Sequence, residues 1–491
     1  MRIAIVHFHL QTGGVTRVIQ HACEALAATG HRVLVIAGDP PEQPLGGAID
    51  VAVLPGLRYE ESRVGLTPDA LASAMVKAAR ERLGGLPDLW HIHNHCLGKN
   101  LALPAAVLRL ARNGHRLLLQ PHDFAEDGRP ALYRRMRDQL ADGDVGRLSA
   151  ILYPLAPQIH YAALNGRDLG FLANAGIPET NRHLLANAVT PPTTEIAARC
   201  VDDAPERCSD DKRLWLYPTR AIRRKNLGEF LLWSVVGERQ DRFATTQAPQ
   251  NPQEQPRYRH WLGLAKELDL PLEFELGRRA DNFHALLASS YALVTTSVGE
   301  GFGLAFLEPW LSGRPLVGRD LPEITCDFRA SGVRLDDLYE RLAVPLAWVD
   351  NGRLRASFSD ALAANATAYG RSLPGNAFER AWLSAATDAH IDMGRLDEPA
   401  QESVIRRLHA NPTAFAEMMP SQLIATDDAK IIAANDSAIR ASYGLHGYGR
   451  GLASLYAGIM EAIPSASFGR GDGEKLLDQF LAPERLTLLR T

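Results

Sequence analysis

Cysteine is scarce in this chain: five among 491 residues, an odd number, at Cys23, Cys96, Cys200, Cys208 and Cys326. That scatter builds neither a disulfide framework nor a zinc site, and it points to a reducing, cytoplasmic setting. An excess of one charge is also lacking. The 53 Lys and Arg against 57 Asp and Glu leave −4, so the basic balance of a protein whose main partner is bulk nucleic acid is missing. No apolar run approaches the roughly 18 residues needed to span a bilayer, and no basic amphipathic stretch marks a membrane-surface anchor. Met1-Arg2-Ile3-Ala4-Ile5-Val6 reads as a strand rather than a cleavable signal. A repeat of solenoid period is absent. So is a Gly-x-Gly-x-x-Gly turn with an acidic residue about 20 positions on, which weighs against a nicotinamide-dependent oxidoreductase. What remains is an ordinary globular composition, 46% hydrophobic and 22% charged, which excludes disorder of the whole chain. At roughly 150 residues per domain the length divides into two to four domains.

Short apolar runs alternate with amphipathic stretches, the pattern of βα units and parallel sheets. Ile3–Val6 leads into a Gly13-Gly14 turn and a helical pattern over Val15–Ala28, with Gly30 as its stop. Val33–Ala37, Leu89–His93, Leu117–Gln120, Ile151–Leu155 and Ile159–Leu164 read as further strands of one doubly wound sheet. Residues 190–212 are rich in Pro, Thr and Asp without periodicity, as a linker would be. A second βα series follows in Leu214–Tyr217, Leu272–Leu276, Ala292–Thr295 and Pro315–Val317, with Gln247–Pro256 as a surface loop. Beyond about 330, helical patterns dominate, around 355–370, 376–390, 400–410 and 433–462. The fold class expected is α/β: two Rossmann-like lobes, 1–189 and 213–330, and a helical C-terminal extension, 331–491.

Ligands of open parallel sheets bind at the carboxyl ends of the strands, and the informative residues stand there. Thr295-Thr296-Ser297-Val298-Gly299-Glu300-Gly301-Phe302-Gly303-Leu304-Ala305-Phe306-Leu307-Glu308-Pro309 ends a strand, turns on three glycines and starts a helix near Leu304. Free N–H groups at such a helix start favour an anion. The carboxylates of Glu300 and Glu308, with seven residues between them, suit sugar hydroxyls. After the first strand of that lobe comes Pro218-Thr219-Arg220-Ala221-Ile222-Arg223-Arg224-Lys225-Asn226. Arg220 and Lys225 there are placed to converge on a diphosphate; Arg223 and Arg224 read equally as solvated charges.

The E-x7-E element, the R-x4-K pair and the N-terminal Gly-Gly turn together resemble the retaining GT-B glycosyltransferases of family 4. The resemblance covers roughly residues 1–325 and resumes at 433–462, which is similar to the family's closing helices that pack back on the first lobe. It implies that Arg220 and Lys225 hold the donor's diphosphate and that Glu308 bonds the nucleotide's ribose. Glu300, with the Gly301, Phe302, Gly303 and Leu304 segment, then faces the transferred sugar. Gly13 and Gly14 match the first-lobe turn near the donor phosphates, and His122 the histidine beside the reactive carbon. The substrates implied are a nucleotide-diphosphate hexose, glucose or mannose, and a hydroxyl acceptor, read here as small and soluble. Neither cofactor nor metal is implied, since Arg, Lys and helix N-termini supply the positive charge. A lobe pair kept as a nucleotide-sugar-binding regulator is the alternative, but it would tolerate loss of Arg220, Lys225 or the glutamates, and all are present.

Three acceptor-side candidates complete the set: Arg17, His95 and Asn165. Asn165, Arg167 and Asp168 fit a cleft lining or a cap of the following helix, and the cap is the preferred reading. His91-Ile92-His93-Asn94-His95 puts three imidazoles on one strand face, a metal-like spacing, but no companion ligands follow and a strand end reaching the acceptor is preferred. Residues 331–430 exceed what the resemblance accounts for and are left as an acceptor-specific cap, a homo-oligomer contact or helical filler.

Overall fold

The structure is a computed structural model describing residues 1–490 apart from 28, 43–44, 46–48, 61–64, 192–211 and 279–281. It divides into two compact units. One comprises 1–188, 368–371 and 442–481, the other 189–367, 372–441 and 482–491. The expected linker 190–212 lies almost wholly outside the described residues, as do Cys200 and Cys208. Among the described residues no helix is long and apolar enough to cross a membrane.

The first unit is built on β1 (Arg2–His7), β2 (Arg32–Ala37), β3 (Asp50–Val53), β4 (Leu89–His93), β5 (Leu117–Gln120), β6 (Pro154–Leu155), β7 (Ile159–Ala163) and β8 (Arg182–Leu184). Seven of these pair in the order β3-β2-β1-β4-β5-β7-β8, all in parallel, with Ile3 opposite Val33 on one side and Leu89 on the other. Continuous apolar runs demand burial on both faces, and β4, β5 and β7 are buried at every position. The winding reverses between β1 and β4, so the loops leaving their carboxyl ends part to opposite faces. The helix Gly14–Ala27 buries Val18, Ile19, Ala22, Cys23 and Leu26. Leu445–Met460 packs on it so closely that a Cβ at Gly449 would lie 2.9 Å from that of Ala25.

The run Ile151–Leu155 is not one strand. The Asp144 carboxylate accepts from the N–H groups of Gly146 and Arg147 and caps a helix, Val145–Leu152, that claims Ile151 and Leu152. Only Pro154 and Leu155 stay extended, pairing antiparallel with Gly469–Arg470. Edge strands β3 and β8 escape the sequence pattern because they are short and only half-buried.

The second unit carries β9 (Arg213–Arg220), β10 (Asp241–Gln247), β11 (Leu272–Glu273), β12 (Ala292–Thr295), β13 (Leu316–Arg319) and β14 (Leu338–Tyr339). Their parallel order β11-β10-β9-β12-β13-β14 reverses between β9 and β12. Strand β10 is hidden in sequence because its buried residues include Thr245 and Thr246. The expected strand Leu272–Leu276 stops at Glu273, since Glu275 turns the chain with φ +60°. Residues 331–441 other than 368–371 belong to this unit, where Leu354, Phe358, Val404, Ile405 and Leu408 share a core with Phe230 and Trp233. The stretch 433–462 is two helices, Ala429–Tyr443 and Leu445–Met460, separated by an extended Gly444. In the former, the buried Asn435 side chain bonds both the N–H and the C=O of Arg334 at 2.8 Å.

One buried ion network ties this core together. β15 (Ala343–Pro345) pairs antiparallel with β16 (His390–Asp392). Arg319, at the end of β13, donates from Nη2 to Glu229 Oε2 at 2.5 Å and to Asp392 Oδ1 at 2.8 Å. Tyr339 donates to Glu229 Oε1 at 2.7 Å, and Trp233 Nε1 to the Tyr339 hydroxyl at 2.7 Å. Removing the cation that Glu229 and Asp392 share strands two carboxylates in the interior. Arg319→Met is therefore expected to cost about 3–5 kcal/mol in urea unfolding; a loss below about 1 kcal/mol would show that water reaches these carboxylates.

Candidate functional site

In the second unit the site begins where β9 ends. Arg220 is exposed at its last position. The chain then turns through Arg223–Lys225 and passes Asn226 at φ +53°, whose Nδ2 donates to Glu229 at 2.8 Å. The loop leaving β12 is stitched to this turn. Thr296 Oγ1 and the Tyr217 hydroxyl both donate to the Lys225 carbonyl at 3.0 Å, and Val298 N–H to the Arg224 carbonyl at 2.9 Å. These hydrogen bonds fix both loops at the point where the winding reverses.

Glu300 sits where the two loops meet. Lys225 Nζ pairs with its Oε1, and Arg224 Nη1 with its Oε2 at 2.9 Å while also donating to the Gly299 carbonyl. Burial alone would raise this carboxyl, yet Lys225 and then Arg224 hold it at about 2, so it is ionised at every physiological pH. Burial draws Lys225 down from its usual value. Arg490, from the C-terminal turn, lies over Gly299, where a Cβ would meet its Cδ and Nη1 at 3.4 Å. Arg224 and Arg490 are cations the sequence reading did not select. Arg223 points elsewhere, donating to Glu398 at 2.6 and 2.9 Å.

Beyond Glu300, Phe302 is buried edge-on against Phe328. Gly303 has φ +93°, and a Cβ there would strike Phe306 at 2.9 Å, so the fold itself requires glycine. The helix expected from Leu304 is replaced by a 3-10 turn, Leu304–Phe306, and a four-residue helix, Glu308–Leu311. Pro309 has no N–H to give the carbonyl at 305, so an α-helix cannot run through. Glu308 stands in the first turn of that short helix, half-buried. The positive charge of this site therefore resides in side chains rather than in a long helix dipole.

In the first unit Gly13 and Gly14 are exposed between β1 and the helix that Gly14 begins. A Cβ at Gly14 would meet nothing within 4 Å, and one at Gly13 only the Gln11 carbonyl at 3.9 Å. Arg17 follows one turn on, its N–H donating to the Gly13 carbonyl at 3.1 Å. His122 leaves the end of β5. Asn94, at φ +56° after β4, accepts from the His122 and Asp123 N–H groups at 2.7 and 3.1 Å. Burial pushes the His122 ring down to about 4.

The histidines of β4 and the turn after it take separate partners. His91 bonds Tyr456 at 2.8 Å and Gln120 at 2.9 Å, His93 bonds His122 at 2.8 Å, and His95 Nε2 donates to the Leu152 carbonyl at 2.8 Å. His95 is 1% exposed, so the expected acceptor contact is corrected to a packing role. For Asn165 the helix-cap reading holds and the acceptor-side one is corrected. Its side chain caps Gly166–Asn174 by accepting from Asp168 N–H at 2.8 Å, and it is 2% exposed.

The loop after β5 also holds Glu126, fully buried, which accepts from the Tyr153 hydroxyl at 2.9 Å. Burial pushes its carboxyl up to about 7.

Residues 13–164 match the glycosyl transferase 4-like domain. A mannosylglucosyl-3-phosphoglycerate synthase of Petrotoga mobilis is 24% identical, over 72% of this chain and 72% of that protein. Among solved structures, an α,α-trehalose-phosphate synthase (UDP-forming) from Burkholderia vietnamiensis superposes with TM-score 0.52 at 14% identity, covering 93% of this chain and all of that one. Anabaena HepE in complex with UDP gives TM-score 0.52 at 13% identity, with 93% and 100% covered.

Glu126 generates a pH test. Its native carboxyl keeps a proton that the unfolded chain releases near pH 4.5, so stability falls as pH rises from about 4.5 to 7 and is level beyond. The gap is worth about 3 kcal/mol at pH 8. Glu126→Gln, which keeps the Tyr153 hydrogen bond, is expected to raise the urea midpoint at pH 8 and leave it unchanged near pH 4. Equal midpoints at both pH values would refute the buried neutral acid.

Proposed function

We propose that this chain, a GT-B glycosyltransferase of the family 4 type carrying a glycosyl transferase 4-like domain at residues 13–164, moves a hexosyl group from UDP-hexose to an acceptor hydroxyl with retention of anomeric configuration. The observation that carries the reading is the ionised Glu300 clamped by Lys225 and Arg224 at the reversal point of the second unit's sheet. UDP as the nucleotide is supported by HepE, solved with UDP, and by the UDP-forming trehalose-phosphate synthase, both of the same fold.

Chemistry follows from charge. Breaking the bond between sugar and diphosphate builds positive character on the anomeric carbon and negative character on the leaving group. Arg220 and Lys225 hold that diphosphate, and Arg224 adds a fixed cation beside them, so the charge is met by groups already oriented. Glu300 pairs with Lys225 and offers carboxylate oxygens to sugar hydroxyls, together with the Gly301–Leu304 backbone, while Glu308 takes the ribose. In the first unit, Gly13 and Gly14 serve the substrate rather than the fold, since a side chain at Gly14 would meet no protein atom within 4 Å. His122 stands on the same side of the reading, with Arg17 as the remaining acceptor-side candidate. The acceptor attacks the face the diphosphate leaves, a phosphate oxygen takes its proton, and no metal or cofactor is used. The hexose is glucose or mannose, and the setting is the cytoplasm.

A thermal-shift panel of UDP, GDP, ADP and their hexose conjugates tests this. A ligand at 100 times its Kd stabilises the native state by about 2.7 kcal/mol, and UDP species are expected to give the largest rise in melting temperature. Lys225→Ala is expected to abolish that rise and the release of UDP from UDP-glucose while circular dichroism stays unchanged. Glu308→Ala is expected to weaken UDP binding about tenfold, the loss of one charge-assisted hydrogen bond; unchanged UDP binding would remove Glu308 from the ribose.

A further inference from the structure

The ring of His122 is not alone. Its Nε2 lies 2.8 Å from Nδ1 of His93, the last residue of β4. The ring centroids are 5.1 Å apart and the planes differ by 23°, so the rings meet end-on, as an in-line N–H···N bond requires. One proton occupies that bond, and either ring can own it.

The far side of His93 decides which. Its Nε2 is buried and has no hydrogen-bond partner among the described residues. His91 lies against it with centroids 4.3 Å apart, and His7 approaches edge-on at 6.2 Å. Suppose His122 donated: His93 would then carry its own proton at Nε2, as a buried N–H with no acceptor. Orphaned buried N–H groups are rare, and an unused lone pair is the lesser defect. If His93 donates from Nδ1 instead, only a lone pair is left unpaired. Double protonation is excluded, because burial holds both rings well below the usual imidazole range.

We propose that His93 is a positioning residue that fixes His122 as the Nδ1–H tautomer, so that His122 presents a hydrogen-bond donor, and not a base, at its partly exposed edge. Asn94 completes the arrangement by holding the His122 and Asp123 backbone N–H groups. The functional meaning rests on the assignment of His122 to the substrate. A neutral N–H donor suits a sugar hydroxyl or a phosphate oxygen, whereas proton removal from the acceptor must fall to another group.

The test uses the full chain labelled with ring-15N histidine and read by long-range 1H–15N correlation at neutral pH, with His122 identified by the signals missing in His122→Ala. The wild type is expected to show protonated Nδ1 and bare Nε2 on His122. His93→Phe is expected to release His122 into a mixture of tautomers and to lower kcat for UDP release from UDP-glucose by about tenfold or more, with KM unchanged. His93→Asn, whose side-chain N–H stands close to where Nδ1 was, is expected to restore both. A protonated Nε2 on His122 in the wild type, or an unaltered His122 spectrum in His93→Phe, overturns the proposal, and the wild-type spectrum decides even where a variant fails to fold. Full UDP release by His122→Ala would instead remove His122 from the substrate, a failure of the functional reading that the spectrum keeps separate.

Discussion

The second unit's site depends on one ion cluster. A carboxylate taken out of water carries a large desolvation penalty, and Glu300 stays ionised only because Lys225 and Arg224 both face it. That requirement runs both ways. The two cations share a turn only a few residues long, and without an anion between that turn and the next loop they would repel. The hydrogen bonds from the Thr296 hydroxyl and the Val298 N–H to the same turn then set its position. Positive charge is thereby held in place before any ligand arrives, which is the arrangement that stabilises charge developing on a leaving group without reorganisation.

Beneath this site, the Arg319–Glu229–Asp392 network plays the corresponding part for the core. It draws together the end of β13, the helix Leu227–Val236 and β16, so a segment of about a hundred residues beyond the second sheet is built into the same interior as the strands. Asn226 links the two layers: its backbone follows Lys225, its Nδ2 bonds Glu229, and its Oδ1 accepts from Gln401 at 2.8 Å. The glycines separate into two kinds. Gly303 is required by its own positive φ and by Phe306, whereas a Cβ would be accommodated at Gly13, 3.9 Å from the Gln11 carbonyl, and at Gly14, with nothing within 4 Å.

Much of this was legible from residue patterns, and the reasons for the failures are specific. Continuous apolar runs such as Ile3–Val6 and Ala292–Thr295 are strands because only a doubly covered parallel sheet buries both of their faces. The same rule misassigned Ile151–Leu152, where a capping carboxylate six or more residues upstream started a helix, and it passed over β10, whose buried threonines look polar. At the site, Lys225 and Glu300 were legible through their glycine-rich and basic surroundings. Arg224 was not, because a basic neighbour of a chosen residue carries no sign of which way it points. Pro309 was visible, and its missing N–H could have warned that no long helix starts at Leu304.

By itself the sequence determined the alternation of strands and helices and the glycine-rich and basic turns after β9 and β12, because these rest on periodicity and on properties of single residues. Tertiary structure alone decided that Arg490 comes to lie over Gly299, that His95 serves packing, and that His93 shares a proton with His122. Those pairings join positions between 29 and 191 residues apart, and a hydrogen bond or packing contact of a few ångströms leaves no local trace when its partner is chosen by the path of the whole chain.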